Sequence, residues 1–121
     1  MQYMLLIHDD EQSWANMPED VRNGWYAKWG AYTEELREKG AFVAADQLQP
    51  SSTATTVQLR EGADPIVTDG PFAETKEQLG GYYLIEAESV DEALEWAAKI
   101  PHGTIEVRPV VPMRVESPAA G

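Results

Sequence analysis

Apolar residues fall along this chain in two rhythms, and the switches between them outline the fold. Residues 3–7 (Tyr3, Met4, Leu5, Leu6, Ile7) are apolar at every position, the pattern of a strand covered on both faces. The stretch 8–17 is polar, with Trp14 its one large apolar side chain, and reads as a loop. Pro18 suits the first turn of a helix, and Glu19 and Asp20 complement its positive end. Val21, Trp25, Trp29, Tyr32 and Leu36 recur at helical spacing on one face. Gly40 is placed to end that helix in a left-handed turn. Residues 41–45 read as a second strand and 49–52 as a loop. A further strand over 54–59 turns at 61–64, and Ile66 and Val67 return as a short hairpin arm. Gly80 and Gly81 release the chain into the second strongly apolar strand, 82–87. Ser89 and Glu92 fit a capping box. The helix it opens carries a buried stripe of Val90, Ala93, Leu94, Ala97 and Ile100, and Pro101 stops it. Ile105 and Val107 alternate with Glu106 and Arg108, a half-buried strand that Pro109 confines to an edge or ends.

The order is strand, helix, strand, hairpin insertion, strand, helix, strand. This is the split βαβ arrangement of an α+β, ferredoxin-like fold, with an antiparallel sheet and two helices on one face. One domain spans 1–113, and the aperiodic tail 114–121 reads as disordered. The fold puts the first and third main strands at the centre of the sheet, and these are the two most continuously apolar ones. Both helices must lie on the same face, so the other face needs a cover. A second copy of the chain is the expected cover, which makes a homodimer the expected state.

Charge narrows the partners. Nine Lys and Arg against 21 Asp and Glu give a formal net charge of −12. That balance repels phosphate backbones, and no basic cluster offsets it locally, which argues against nucleic acid and anionic membranes. A basic partner or a cationic ligand fits it better. With no cysteine there is no disulfide framework, thiolate metal site or cysteine nucleophile. The apolar run near the N-terminus is short and has no basic leader, so a cytoplasmic protein is expected.

Asp69-Gly70-Pro71-Phe72-Ala73-Glu74-Thr75-Lys76-Glu77 is the most specific segment. Gly70 can take backbone angles closed to other residues, and Pro71 fixes its own φ. Asp69 has two readings: a turn residue bonded to following N–H groups, or a general acid or base at a cleft. Glu74, Lys76 and Glu77 read as a solvated mixed-charge cluster, or, brought near Asp69, as groups that polarise a carbonyl and shuttle a proton. Tyr82 and Tyr83 point to opposite faces of their strand. Arg108 either binds a substrate carboxylate or pairs with Glu106 or Glu86. His8 stands beside Asp9, Asp10 and Glu11, but neighbouring residues at a strand end diverge, and no second histidine lies at ligand spacing. His102 follows a helix C-terminus, where positive charge is favourable without any function. No metal site and no cofactor are expected.

Residues 69–77, supported by Ile105-Glu106-Val107-Arg108-Pro109, resemble the DGPF signature of YCII-related proteins, and the likeness runs over 3–110. It implies a dimeric α+β barrel built from ferredoxin-like protomers. Similar domains include a dehydrochlorinase-like enzyme and, more distantly, muconolactone isomerases, which work by acid–base chemistry without a cofactor. Others are encoded beside, or fused to, extracytoplasmic-function sigma factors. The resemblance therefore implies a cofactor-free lyase or isomerase for a small polar organic molecule. Asp69 would transfer the proton, Lys76 would stabilise charge, and Glu74, Arg108 and Tyr82 would hold the substrate. The other reading is a non-catalytic ligand-binding or protein-interaction module. Some relatives pair a histidine of the first helix with an aspartate, but this chain has no histidine between Pro18 and Gly40. That dyad does not carry over.

Overall fold

The computed structural model describes residues 1–113; the tail over 114–121 lies outside them. Strand β1 (Gln2–Asp9) is followed by two helices, α1 (Glu11–Ala15) and α2 (Glu19–Glu38), and by strand β2 (Phe42–Gln47). A single 3₁₀ turn (Ser51–Thr53) leads to β3 (Thr55–Arg60) and β4 (Ala63–Asp69), and β5 (Gln78–Glu86), α3 (Val90–Ala98) and β6 (Thr104–Pro109) complete the chain. The main sheet has the order β2-β5-β1-β6, with every pairing antiparallel. The α+β ferredoxin-like arrangement is as expected, with β1 and β5 central.

Tyr3, Leu5 and Ile7 of β1 and Tyr83 and Ile85 of β5 are buried in one core with Tyr32 and Leu36 of α2 and Ala93 and Trp96 of α3. Both long helices therefore cover the same face. The alternating residues Met4, Leu6, Tyr82 and Leu84 are only half-buried, so the second face of the sheet is open. Tyr83 organises the core: its ring stacks on Trp29 at 6.1 Å and meets Tyr32 edge-on at 5.2 Å. Its hydroxyl shares a 2.7 Å hydrogen bond with Thr33 Oγ1. Tyr32 in turn donates to the Trp96 carbonyl at 2.8 Å, tying α2 to α3.

Several local expectations are corrected. Residues 11–15 are helical, because the Asp10 carboxylate accepts from the N–H groups of Gln12 and Ser13. Val21 is exposed, since only the second half of α2 is covered by the sheet. In α3 the buried stripe runs through Ala93, Trp96, Ala97 and Ile100. Val90 and Leu94 face outward, because Leu94 lies about 100° round the helix from Ala93. Gly80 and Gly81 are inside β5 and do not precede it. A Cβ on Gly81 would stand 2.8 Å from the Asp46 carbonyl, so close β2–β5 approach requires glycine there. The hairpin arm is longer than expected, and β3 and β4 form their own two-stranded sheet with no buried residue. Gly40 does take the left-handed conformation, with φ 70°.

The Tyr32 hydroxyl is held well above its ordinary value of 10.0, first by burial, then by Tyr83 and Glu35. A raised folded-state value favours the neutral phenol, so this contribution to stability is whole below pH 10.0 and is lost as pH rises beyond it. Tyr32→Phe is expected to cost about 1 kcal/mol at neutral pH, one hydrogen bond's net contribution. Urea melts should also show a shallower decline above pH 10.0 than in the parent protein. An unchanged midpoint at neutral pH would contradict the role given to this bond.

Candidate functional site

The antiparallel register gathers four chain segments at one end of the main sheet. Asp9 at the end of β1 pairs with Gln78 at the start of β5, and His8 pairs with Thr104 at the start of β6. The loop before β6 is thereby drawn against β1. Gly103 permits this with φ 109°, and a Cβ there would come within 3.0 Å of the His8 carbonyl. His102 consequently reaches Asp9, and its Nδ1–H donates to Asp9 Oδ2 at 2.7 Å. The Trp25 ring of α2 packs edge-on against the imidazole at 5.1 Å. On the other side of β1, His8 Nε2 lies 3.4 Å from Glu106 Oε1. The chain has two histidines. Both line one open cavity of about 310 Å³, with Asp9, Lys76 and Thr104.

A wider groove of about 550 Å³ adjoins it, and Asp10 and Lys76 border both. Its walls are fastened locally. Glu11 accepts from Ser51 N–H at 2.7 Å and Ser51 Oγ at 2.6 Å, joining α1 to the 3₁₀ turn. Gln78 Nε2 donates to the carbonyls of Ala73 and Thr75, both at 3.1 Å, and Thr75 Oγ1 donates to the Glu77 carbonyl. Gly70, with φ 106°, donates its N–H to the Ala54 carbonyl at 2.7 Å, which holds the bend against the base of the hairpin. Lys76 makes no ion pair among the described residues, although Asp9, Asp10, Glu11, Glu74 and Glu77 line the same two depressions. An ammonium in that position can anchor or stabilise one negatively charged oxygen. The surrounding carboxylates disfavour phosphorylated and other polyanionic ligands.

The residues singled out from the sequence do not all converge. Lys76 and Glu74 border the groove. Asp69 is the exposed last residue of β4, opposite Thr55, and its carboxylate makes no hydrogen bond among the described residues. Gly70 and Pro71, not Asp69, form the groove wall. Tyr82 and Arg108 belong to the open sheet face. Tyr82 donates to Asp46 Oδ2 at 2.7 Å, which raises the phenol above its ordinary range. Arg108 bonds Glu106 Oε2 at 2.6 Å. Glu106 is held below its ordinary value, chiefly by Arg108, with a smaller contribution from His8 and against the opposing effect of desolvation. Sequence reasoning left His8 and His102 without partners. They are 94 positions apart, and the signal that unites them is the β1–β6 pairing, which no local spacing displays.

The sequence profile of the YCII-related domain matches residues 1–114. A protein of Rhizobium meliloti (strain 1021), itself described as uncharacterised, is 36% identical over 115 residues, covering 91% of this chain and 92% of the relative. The chain belongs to the YCII-related family. No helix among the described residues is long and apolar enough to cross a membrane.

Two outcomes follow from this geometry. Gly103→Ala should destabilise by roughly 1–3 kcal/mol, since the backbone there is closed to side chains and the neighbour is main chain. A melting temperature equal to the parent's would contradict the close packing of this loop. The lowered Glu106 carboxyl contributes stability that is present above pH 4.5 and is lost as pH falls below it. Glu106→Gln should therefore flatten the acid limb of the stability curve. An acid limb identical to the parent's would show that the Arg108 contact is not made in solution.

Proposed function

We propose that this YCII-related protein acts on a small polar organic molecule by acid–base chemistry, with no bound cofactor, at the end of the sheet. The observation that carries this reading is the 2.7 Å His102–Asp9 pair on the wall of a cavity that Lys76 also lines. A carboxylate accepting from Nδ1–H fixes the imidazole tautomer and leaves Nε2 with a free lone pair. That nitrogen can take a proton from a carbon beside a carbonyl, while the Lys76 ammonium stabilises the oxyanion that forms. Asp69, 33 positions before His102, is not needed for this step. Lys76 keeps the stabilising role assigned to it from sequence, and Glu74 stands at the groove mouth as a polar contact. Neutral carbonyl compounds suit the acidic surroundings better than polyanions.

The open sheet face supports a homodimer. Met4, Leu6 and Leu84 form its half-buried apolar centre, and Asp46–Tyr82 and Glu106–Arg108 form polar flanks. An apolar centre inside a polar rim is the anatomy of a protein interface. A second reading, a protein-interaction module, is favoured by the β3–β4 hairpin. Leu59 at 80% exposure and Val67 at 65% present apolar surface with nothing packed on it among the described residues.

Solvent-deuterium incorporation tests the acid–base reading. A panel of β-diketones, β,γ-unsaturated ketones and lactones would be followed by proton NMR in deuterium oxide. The parent protein should exchange at least one of them at carbon. His102→Gln should reduce that rate by roughly 100-fold or more, the scale of a lost general base, and Asp9→Asn should reduce it less. Exchange as fast in His102→Gln as in the parent would overturn the assignment. For the dimer, light scattering should give twice the 13.4 kDa chain mass, and a monomer at micromolar concentration would contradict it.

A further inference from the structure

Period-two alternation along β1 sends successive side chains to opposite faces of the sheet. His8 shares the open face with Glu106, the residue it contacts. Asp9 joins His102 on the helix side, where Trp25 of α2 holds the ring. Both histidines line the smaller cavity, His8 from the open face of the sheet and His102 from the helix side, and each contacts a carboxylate. His8 is intermediate in exposure, and the acidic partner behind it is fixed in turn by Arg108 at 2.6 Å. A lone surface histidine would have no such support. The His8–Glu106 contact is a second histidine–carboxylate pair at the same end of the sheet, made through Nε2 at 3.4 Å where His102 uses Nδ1 at 2.7 Å.

We propose that His8 is the second proton-transferring residue of this site, and that the reaction class is a proton shift between two carbons of one substrate. This rests on the acid–base reading of His102. One residue can ferry a proton between two carbons on the same side of a substrate, whereas two residues reaching the substrate from different sides divide the work, a base at the first carbon and an acid at the second. With a β,γ-unsaturated ketone the step balances without any further reactant. His102 Nε2 takes the proton from the carbon between the carbonyl and the alkene. The C–H electron pair becomes a new carbon–carbon double bond, and the carbonyl pair moves onto oxygen beside Lys76. The oxygen pair then restores the carbonyl, and the double bond shifts into conjugation. The distal alkene carbon takes a proton from the His8 imidazolium, which lies beside the ionised Glu106. His102 ends protonated and His8 neutral, and water resets both. The product is an isomer of the substrate.

Cyclohex-3-enone, which a proton shift converts to cyclohex-2-enone, is the probe, measured with the carbon-acid panel above. Conversion is read by ultraviolet absorbance and deuterium exchange at C2 by NMR, on variants whose melting curves match the parent. In His8→Gln, conversion should fall about 100-fold or more, the usual scale for a general acid, while exchange at C2 persists because His102 still works. Glu106→Gln keeps the imidazole but removes its carboxylate, and it should show the same uncoupling in weaker form. It serves alone if His8→Gln does not fold. Conversion at the parent rate in both variants, with His102→Gln inactive, would overturn the role of His8 and leave that of His102 standing. Absence of both exchange and conversion in the parent protein, with cyclohex-3-enone and the rest of the panel, would overturn both.

Discussion

Strand β1 lies between β5 and β6, and the registers of those two ladders decide which side chains meet at the end of the sheet. Along β6 the pairing runs without interruption from Tyr3↔Pro109 to His8↔Thr104. Along β5 it shifts between Ile7 and His8, where the strand starts to leave the core. A slip of one residue in the β6 ladder would turn Glu106 toward the helices and separate it from His8. It would also carry His102 away from Asp9. Two glycines make the close approach possible: Gly81, which lets β2 and β5 meet, and Gly103, which lets the last loop touch β1. The core holds this register, because Tyr3, Leu5 and Ile7 would have to leave it if β1 moved by one position.

Electrostatics then set what the site can accept. A net charge of −12 is spread over the molecule, yet four of the carboxylates at the sheet end are committed to definite partners. Asp9 takes His102, Asp10 caps α1, Glu11 takes Ser51, and Glu106 takes Arg108 and His8. Lys76 stands among them without an ion pair among the described residues. Its loop is held by hydrogen bonds from Gln78 and by the bend at Gly70. Rigid support for the polar groups lowers the reorganisation that a reacting oxyanion would demand.

The fold was legible because its signals are local and periodic. The apolar runs at 3–7 and 82–87, the capping box at Ser89 and the glycine at position 40 each act within a few residues. Where neighbours decide the outcome, reading failed: Trp96, not Leu94, fills the α3 stripe, and the hairpin extends through Asp69 into solvent. The candidate site was half legible. Lys76 and Glu74 stand two positions apart, so their nearness to each other follows from sequence. His8 and His102 meet only through a ladder between the two ends of the chain, and each alone reads as unremarkable. The sequence left open which of Tyr82 and Tyr83 faces the helices; Tyr82 and Arg108 stand on the open face, paired with Asp46 and Glu106, and line neither depression.

Histidine-selective nitrogen NMR tests the central claim most directly, because the chain yields two imidazole spin systems. At alkaline pH the geometry predicts that His102 is locked with its proton on Nδ1, and that Asp9→Asn releases it into a tautomer mixture. One added enone should then shift both imidazole systems along a single binding curve. Two imidazoles that average freely between tautomers, or that respond to the enone independently, would contradict the shared cavity on which the account rests.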